Sequence, residues 1–338
     1  MRNLAFINLN ALRENALKVR EKLKPETKFC AVVKADAYGH GAEKCANALY
    51  PIADCFAVAI AEEGIRLRLS GIEKDVLVLT PPFKEDLPAA VERGLTLSIE
   101  NAAQLPPILE ESKRRDRTVK IHIKYDTGMR RFGARTLKEV EEILRFARDN
   151  PRITVDGLYS HLYDPEDRKA RESQRKAFLL ANKLVKGYNR NITAHLSASG
   201  GFLFGEEFDM VRIGILLYGY KPFPSEKITV KPVMKIYSPV LKTLTLKKGE
   251  SALYGRRIAR SDEELSLIRY GYADGLPRSE DRFIFNNRCM DVSLVKNENR
   301  GRWFCVMKNA EETASRYDTI SYETLTKVAI RSEKIYIT

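Results

Sequence analysis

No apolar run in the 338 residues approaches the roughly 20 positions that a membrane-spanning helix needs, which argues against a helical membrane protein. The opening stretch MRNLAFINLNALREN has no long apolar segment after its basic residue, so no secretory signal is expected. Cysteine is sparse. The five (Cys30, Cys45, Cys55, Cys289, Cys305) form no CxxC pair and no metal-finger spacing, and three lie in apolar stretches, where reduced, buried thiols are usual. An odd number of thiols without a signal points to the cytoplasm. A chain of this length buries about three-quarters of its unfolded surface and needs no disulfides to fold. No RNP-type, zinc-finger or helix-turn-helix pattern accompanies the excess of 58 Lys+Arg over 45 Asp+Glu. The two signs are interleaved, as in Glu110–Asp116 and Asp164–Glu172. The net charge of +13 therefore reads as a solvated surface with local attraction for an anionic ligand, not as a nucleic-acid track.

What is present is a long alternation. Short apolar runs at Phe29–Val33, Cys55–Ile60, Val76–Thr80, Leu95–Ile99, Val119–Tyr125, Ile153–Leu158, Ile192–Leu196 and Met210–Leu216 read as strands, and each of the first seven precedes a helix-like segment. Examples are Ala61–Ser70 and Thr136–Arg148, the second with Val140, Ile143, Leu144 and Phe146 as its apolar face. A helix before the first strand places Leu12, Ala16, Val19 and Leu23 on one side. Eight strands separated by helices imply a parallel sheet with right-handed crossovers, and eight is the number that closes a (β/α)8 TIM-like barrel. The alternative is an open doubly wound sheet, but no GxGxxG turn follows the first strand. Near Pro222-Phe-Pro224 the texture changes to short alternating segments (Val240–Leu246, Leu265–Tyr270, Val292–Val295), which predict a mostly β C-terminal domain with small helical pieces near its end. The expected domains are 1–225 and 226–338, with residues 1–10 as candidates to pair with the second.

In such a barrel the active site lies where the strands end. After the first strand comes Lys34-Ala-Asp-Ala-Tyr-Gly-His-Gly41, and after the fifth Lys124-Tyr-Asp-Thr-Gly-Met-Arg-Arg-Phe-Gly133. Ser160-His161 follows the sixth and Ser197-Ala-Ser-Gly-Gly201 the seventh, while the eighth contains Arg212-Ile-Gly214. Lys34 closes an apolar strand, a costly place for an ammonium unless it is solvated or paired. It reads either as the first residue of a loop or as a desolvated amine of lowered pKa, suited to condensing with a carbonyl.

Together these segments resemble the alanine racemases, pyridoxal-phosphate enzymes of fold type III. Ala31–Gly41, Lys124–Gly133, Arg212–Gly219, Gly271–Arg278 and Cys289-Met-Asp291 match the family's motifs in order. The resemblance implies that Lys34 carries pyridoxal 5'-phosphate and serves as one catalytic base. Tyr272 of a second subunit would be the opposite base, which makes the protein a homodimer with shared sites. It implies further that Arg212 faces the pyridine nitrogen and that Tyr38, Ser199, Tyr322 and the backbone of Gly214 and Ile215 hold the phosphate. His161 would lie beside the ring, Arg131 near the substrate carboxylate, and Met290 and Asp291 along the substrate pocket, with Cys289 a neighbouring thiol rather than a nucleophile. His195 would support Arg212 or fill the core. Lys124 matches a lysine often carbamylated in the family, the alternative being a plain lysine paired with Asp126 or another carboxylate. The implied reaction interconverts L- and D-alanine and feeds peptidoglycan synthesis. The alternative is a serine or broad-specificity amino-acid racemase. No metal, nucleic-acid or membrane partner is implied. A decarboxylase of this fold would show a glycine triplet and a Cys-Asp-x-x-Asp-like motif, and a single-barrel cofactor-binding protein would lack the β domain.

The match loosens in three places. Ala198 stands where the family has asparagine, with Ser197 as a candidate replacement. Asn287 takes a position that is often arginine, and Val295–Trp303 is shorter and more polar than usual.

Overall fold

The computed structural model describes residues 1–255, 257–278, 284–296 and 301–338. They divide into two compact units, Arg13–Ala37 with Ala42–Val230, and Met1–Leu12 with Tyr38–Gly41 and Lys231–Thr338.

The first unit is the expected barrel. Strands β2 (Lys28–Val32), β3 (Cys55–Val58), β4 (Val76–Val78), β5 (Thr96–Ile99), β6 (Val119–Lys124), β7 (Ile153–Tyr159), β8 (Thr193–His195) and β9 (Met210–Ile213) form one parallel sheet, β9 lying beside β2. The sheet curves until β9 reaches β8. There Asp209 N donates to Ala194 O (2.9 Å) and Arg212 N to Ser197 O (3.0 Å), which nearly closes the barrel. Register sorts the side chains into two faces. Phe29, Phe56, Val58, Val76, Val78, Leu97, Ile99, Ile121, Ile123 and Leu158 share one face and are fully buried. Cys30, Arg212, Ser98, His122, Lys124, Tyr159 and His195 share the other. This second face points inward, because its members touch across intervening strands: Ser98 Oγ meets Tyr159 Oη at 2.7 Å past β6. The inside of the barrel is polar and the outside, beneath the helices, aliphatic.

The eighth strand stops three residues earlier than its apolar run. Gly214 (φ −118°, ψ −89°) breaks the extended backbone, and Ile215–Tyr218 turn as a 3-10 helix. The helix of residues Leu137–Asp149 starts from a Thr136 cap whose hydroxyl accepts from Glu139 N at 3.2 Å. Its buried stripe is Val140, Ile143, Leu144 and Ala147. Ala147 takes the fourth place expected of Phe146, since i, i+3, i+4, i+7 from Val140 reaches 147.

In the second unit, β1 (Leu4–Asn8) pairs antiparallel with β10 (Met234–Leu246) and parallel with β14 (Glu333–Ile337). β11 (Glu263–Ile268), β12 (Ser293–Val295) and β13 (Trp303–Met307) complete this sheet, β13 also pairing with β10. Leu246, Ala259, Leu265, Phe285 and Leu294 form a small core under it. Two short helices, Ala310–Arg316 and Ser321–Val328, precede β14. Of the segment Val295–Trp303, residues 297–300 lie outside the described residues.

Candidate active site

The chain leaves β2 through an unusual turn. Ala35, Asp36, Ala37 and Tyr38 all have φ between +52° and +54°, a left-handed turn built without glycine. Each such residue costs about 1–2 kcal/mol, so the turn needs braces. Glu63, on the helix Ala61–Leu69, accepts from Ala35 N (2.6 Å) and Ala59 N (2.7 Å). Asp36 Oδ1 accepts from Ala42 N (2.8 Å), and Ala37 N donates to Val33 O (2.9 Å). Lys34 is thereby fixed at the lip of the barrel. Its ammonium has neither hydrogen-bond nor ion-pair partner among the described residues. Burial first, then Arg131 and Arg212, hold its pKa below the usual lysine value, with Glu63 opposing.

Arg212 lies in the barrel interior and is almost fully buried. Its Nη1 donates to His195 Nδ1 (2.6 Å) and His195 O (3.1 Å), and its Nη2 to Ser160 O (2.6 Å) and Leu196 O (3.0 Å). Four of the five guanidinium protons are thus used, and the Nε–H meets no acceptor among the described residues. His161 is held down to about 3 by burial and then by Arg212, Arg131, Lys34 and Lys124, and so is neutral at pH 7. Four cations converge on one neutral imidazole, while Glu63 and Glu100, the acids that act on Lys34 and Lys124, are tied to backbone N–H groups.

Lys124 ends β6. Its Nζ donates to Leu79 O (3.3 Å) and faces the rings of Phe132 and Tyr159, and burial followed by Arg131 and Arg212 brings its pKa to about 8. The pairing with Asp126 is not formed. Asp126 instead accepts from Gly128 N (2.8 Å) and Arg130 N (3.1 Å), folding the loop that carries Arg131. Gln174, buried on the helix Arg168–Tyr188, donates to Thr127 Oγ1 (2.9 Å) and His161 O (3.0 Å), clamping this loop to the one after β7. Ser199 Oγ accepts from Gly214 N (3.2 Å), leaving its own proton to donate. Ser197 does not replace the missing asparagine side chain, because its hydroxyl donates to Glu206 O.

In the second unit, Tyr38 and Tyr322 lie with ring centroids 6.0 Å apart. Burial raises the Tyr38 hydroxyl well above its ordinary pKa and pushes Tyr322 up to about 12, so both are hydrogen-bond donors at neutral pH. Tyr272, Met290 and Asp291 are brought side by side by Tyr272 N donating to Cys289 O and Ala273 N to Met290 O, each at 3.0 Å. Gly271 is required there, since a Cβ would stand 2.0 Å from Met290 O. Asp291 pairs with Arg331 at 2.9 Å. Tyr272 and Met290 are 38% and 54% exposed.

The motif-bearing residues thus fall into three groups. Lys34, Lys124, Arg131, His161 and Arg212, with Ser199 and Gly214–Ile215, belong to the barrel. Tyr38 with Tyr322, and Tyr272 with Met290 and Asp291, belong to the second unit. Sequence reading passed over the braces Glu63 and Gln174, and named Asp126 only as an alternative partner of Lys124. An acid three residues past Ala59-Ile60 is a capping signal that could have found the first.

Family profiles described as the N-terminal and C-terminal domains of alanine racemase match residues 7–222 and 233–336. The chain belongs to the alanine racemase family. Membership makes it an isomerase. Alanine racemase of Aquifex aeolicus is 30% identical over 358 aligned positions, covering 99% of either chain. Alanine racemase 1 of Bacillus subtilis is 30% identical, covering 98% of this chain and 92% of its own. Among solved structures, alanine racemase of Clostridium difficile 630 superposes with a TM-score of 0.92 at 26% identity, covering 100% of this chain and 96% of its own. That of Bartonella henselae, with covalently bound pyridoxal phosphate, gives 0.86 at 26% identity over 100% of both. Among the described residues no helix is long and apolar enough to cross a membrane.

Proposed function

We propose that the chain interconverts L- and D-alanine with pyridoxal 5'-phosphate held on Lys34. The observation that supports this most directly is the pairing of an unpartnered, partly desolvated lysine amine with the one open N–H of a saturated, buried arginine. An aldehyde suits the first and a ring nitrogen with a free lone pair suits the second, while a dianionic phosphate suits the surplus of cations. The donors for that phosphate are the hydroxyls of Ser199, Tyr38 and Tyr322 and the backbone N–H of Ile215, with the Gly214 N–H holding the Ser199 hydroxyl in place. His161, kept neutral, packs beside the ring without adding a fifth positive charge.

Pyridoxal phosphate, when bound, supplies an electron-withdrawing ring that weakens the Cα–H bond of an attached amino acid. Inversion at Cα then needs one proton acceptor on each face. Lys34, with its lowered pKa, takes or returns the proton on one face. Tyr272 of a second copy of the chain does so on the other, which makes the working form a homodimer. Arg212 cannot surrender a proton near neutral pH, so it meets the ring nitrogen as a donor and keeps that nitrogen unprotonated. Arg131 orients the substrate carboxylate, and Met290 and Asp291 of the second copy bound the pocket. Lys124, carbamylated, would brace Arg131. In the cell the product would supply peptidoglycan synthesis in the cytoplasm.

Chiral product analysis after incubation of the purified protein and pyridoxal phosphate with single L-amino acids tests the reading. D-alanine should form fastest. Faster D-serine would redirect the specificity, and no D-product from cofactor-loaded protein would refute the assignment. Lys34→Ala should abolish racemisation. Tyr272→Phe should impair proton exchange from one enantiomer far more than from the other.

A further inference from the structure

We propose that His122 and Asp156 are positioning residues that act through His195 to fix the orientation of Arg212. The inference rests on the reading that Arg212 meets the ring nitrogen of the cofactor. A guanidinium can only donate, so the 2.6 Å contact from Nη1 makes His195 Nδ1 an acceptor. A neutral His195 then carries its proton on Nε2, which lies 2.8 Å from His122 Nδ1. His122 Nδ1 must accept in turn, so its proton sits on Nε2, facing Asp156 Oδ2 at 3.8 Å. One polarity satisfies both hydrogen bonds of the row, which runs from the ligand-facing arginine toward a carboxylate 40% exposed to solvent, set to attract the Nε2–H electrostatically. Burial lowers both imidazole pKas and keeps them neutral. Asp156 opposes the cations of Lys120 and Lys28 as well as His122.

The backbone is arranged for this row. Register between β6 and β7 passes from Ile121↔Val155 to His122↔Gly157, so Asp156 is an extra residue in a bulge. Bulges of this kind re-aim a side chain. At Gly157 a Cβ would stand 2.4 Å from His122 Nδ1, so a residue without one lets the ring reach over β7 to His195 on β8. Tyr159 stacks on His195 at 5.0 Å and 6°, which fixes the plane of that ring. Simple core filling would require neither the bulge nor the glycine. Were His195 to carry its proton on Nδ1, that N–H would oppose the arginine's N–H at 2.6 Å. The guanidinium would have to swing, taking its Nε–H with it.

The test uses cofactor-loaded protein labelled with 15N-histidine, and three variants. In the parent, the ring nitrogens of His122 and His195 should both report the neutral Nε2–H form between about pH 7 and 8. His122→Leu and Gly157→Ala should each lower kcat about tenfold with KM within about twofold. They should also give about tenfold fewer racemisation turnovers per cofactor lost to its amino form, read from visible absorbance. His122→Asn places an amide oxygen where Nδ1 stood and should recover most of both losses, which a merely structural role would not produce. A parent His195 protonated on Nδ1, or Leu and Asn variants behaving alike, would overturn the proposal. If the parent neither binds pyridoxal phosphate nor racemises alanine, the functional reading fails instead. The nitrogen spectrum of the same sample and of Gly157→Ala still decides whether His122 sets the polarity.

Discussion

Replacing Lys124 with methionine should stabilise the protein. The folded barrel lowers this lysine's pKa from 10.5 to about 8, chiefly by burial and then through Arg131 and Arg212. That gap corresponds to about 3 kcal/mol of cost to the charged form. The folded state binds the proton more weakly than the unfolded one, so the cost is fully present below about pH 8. It fades as pH rises from there to 10.5, where the unfolded chain also loses its proton. Methionine fills a similar volume, removes the charge and forfeits the bond to Leu79 O, worth about 1 kcal/mol. The net gain at pH 7 is about 2 kcal/mol. With an unfolding entropy of roughly 2.1 cal/mol/K per residue, a chain of this length gains about 3 °C in Tm.

Calorimetry in carbon dioxide-free buffer reads this directly, and bicarbonate supplies the control. At pH 7.4 about a fifth of a lysine with pKa near 8 is neutral, against about 0.1% of an ordinary one. The neutral amine can add carbon dioxide. A carbamate would place one anion among Arg131, Arg212 and Lys34, so bicarbonate should raise the Tm of the parent and not of Lys124→Met, erasing the variant's advantage. A 13C-bicarbonate NMR signal lost in the variant would locate the adduct. If the variant melts below its parent without carbon dioxide, and bicarbonate moves neither, the burial cost assigned to Lys124 is wrong.

Other consequences are checked as simply. Glu63→Gln leaves one acceptor where two braced the left-handed turn, and the loss of about 2 kcal/mol should speed hydrogen exchange of the Ala35 amide about thirtyfold. Unchanged exchange would show that the turn holds without it. Gly133→Ala forces a Cβ to 2.7 Å from Asp126 N at φ +128° and should raise KM for alanine through Arg131, with at least about 2 kcal/mol lost in stability. Wild-type kinetics in that variant would uncouple the loop from substrate binding. Inorganic phosphate at about 100 times its Kd should add about 2.7 kcal/mol to the cofactor-free protein, or roughly 4 °C. No shift would deny the convergent cations an anion-binding role.

The barrel strands were legible because their outward residues form an unbroken aliphatic layer that marks each strand even at three residues long. The polar residues interrupting those runs, among them His122, Lys124, Tyr159 and His195, sit on the inward face by register. Residues 1–10 were singled out as candidates to pair with the second domain, but the strand β1 within them was not delimited, because five residues before a helix show little alternation. Its partner β14 is more than three hundred positions away, and no local signal announces such a pairing. The left-handed turn at Ala35–Tyr38 was equally hidden, since alanine has no preference for it. It exists because Glu63 and Asp36 accept its backbone N–H groups and their neighbours. The motif-bearing residues were read through resemblance, whereas their braces bind backbone groups and leave almost no spacing to read.

A barrel interior is ordinarily filled with branched aliphatic side chains, and here much of that filling has been moved to the outer face. Polar groups in the vacated interior are tolerated where each finds a partner. Ser98 donates to Val78 O, Tyr159 to Leu79 O, His195 to His122, and Arg212 to His195, Ser160 and Leu196. Every bond in the histidine row takes its direction from the arginine, which can only give. Among the described residues a single donor of that arginine, its Nε–H, is left over. A group completing the network there must accept a hydrogen bond. A protonated pyridine nitrogen would set donor against donor, so in the proposed reaction the ring must keep its lone pair. A ring so held would withdraw fewer electrons, which would favour return of the proton to Cα by Lys34 or Tyr272, the distinction between racemisation and transamination.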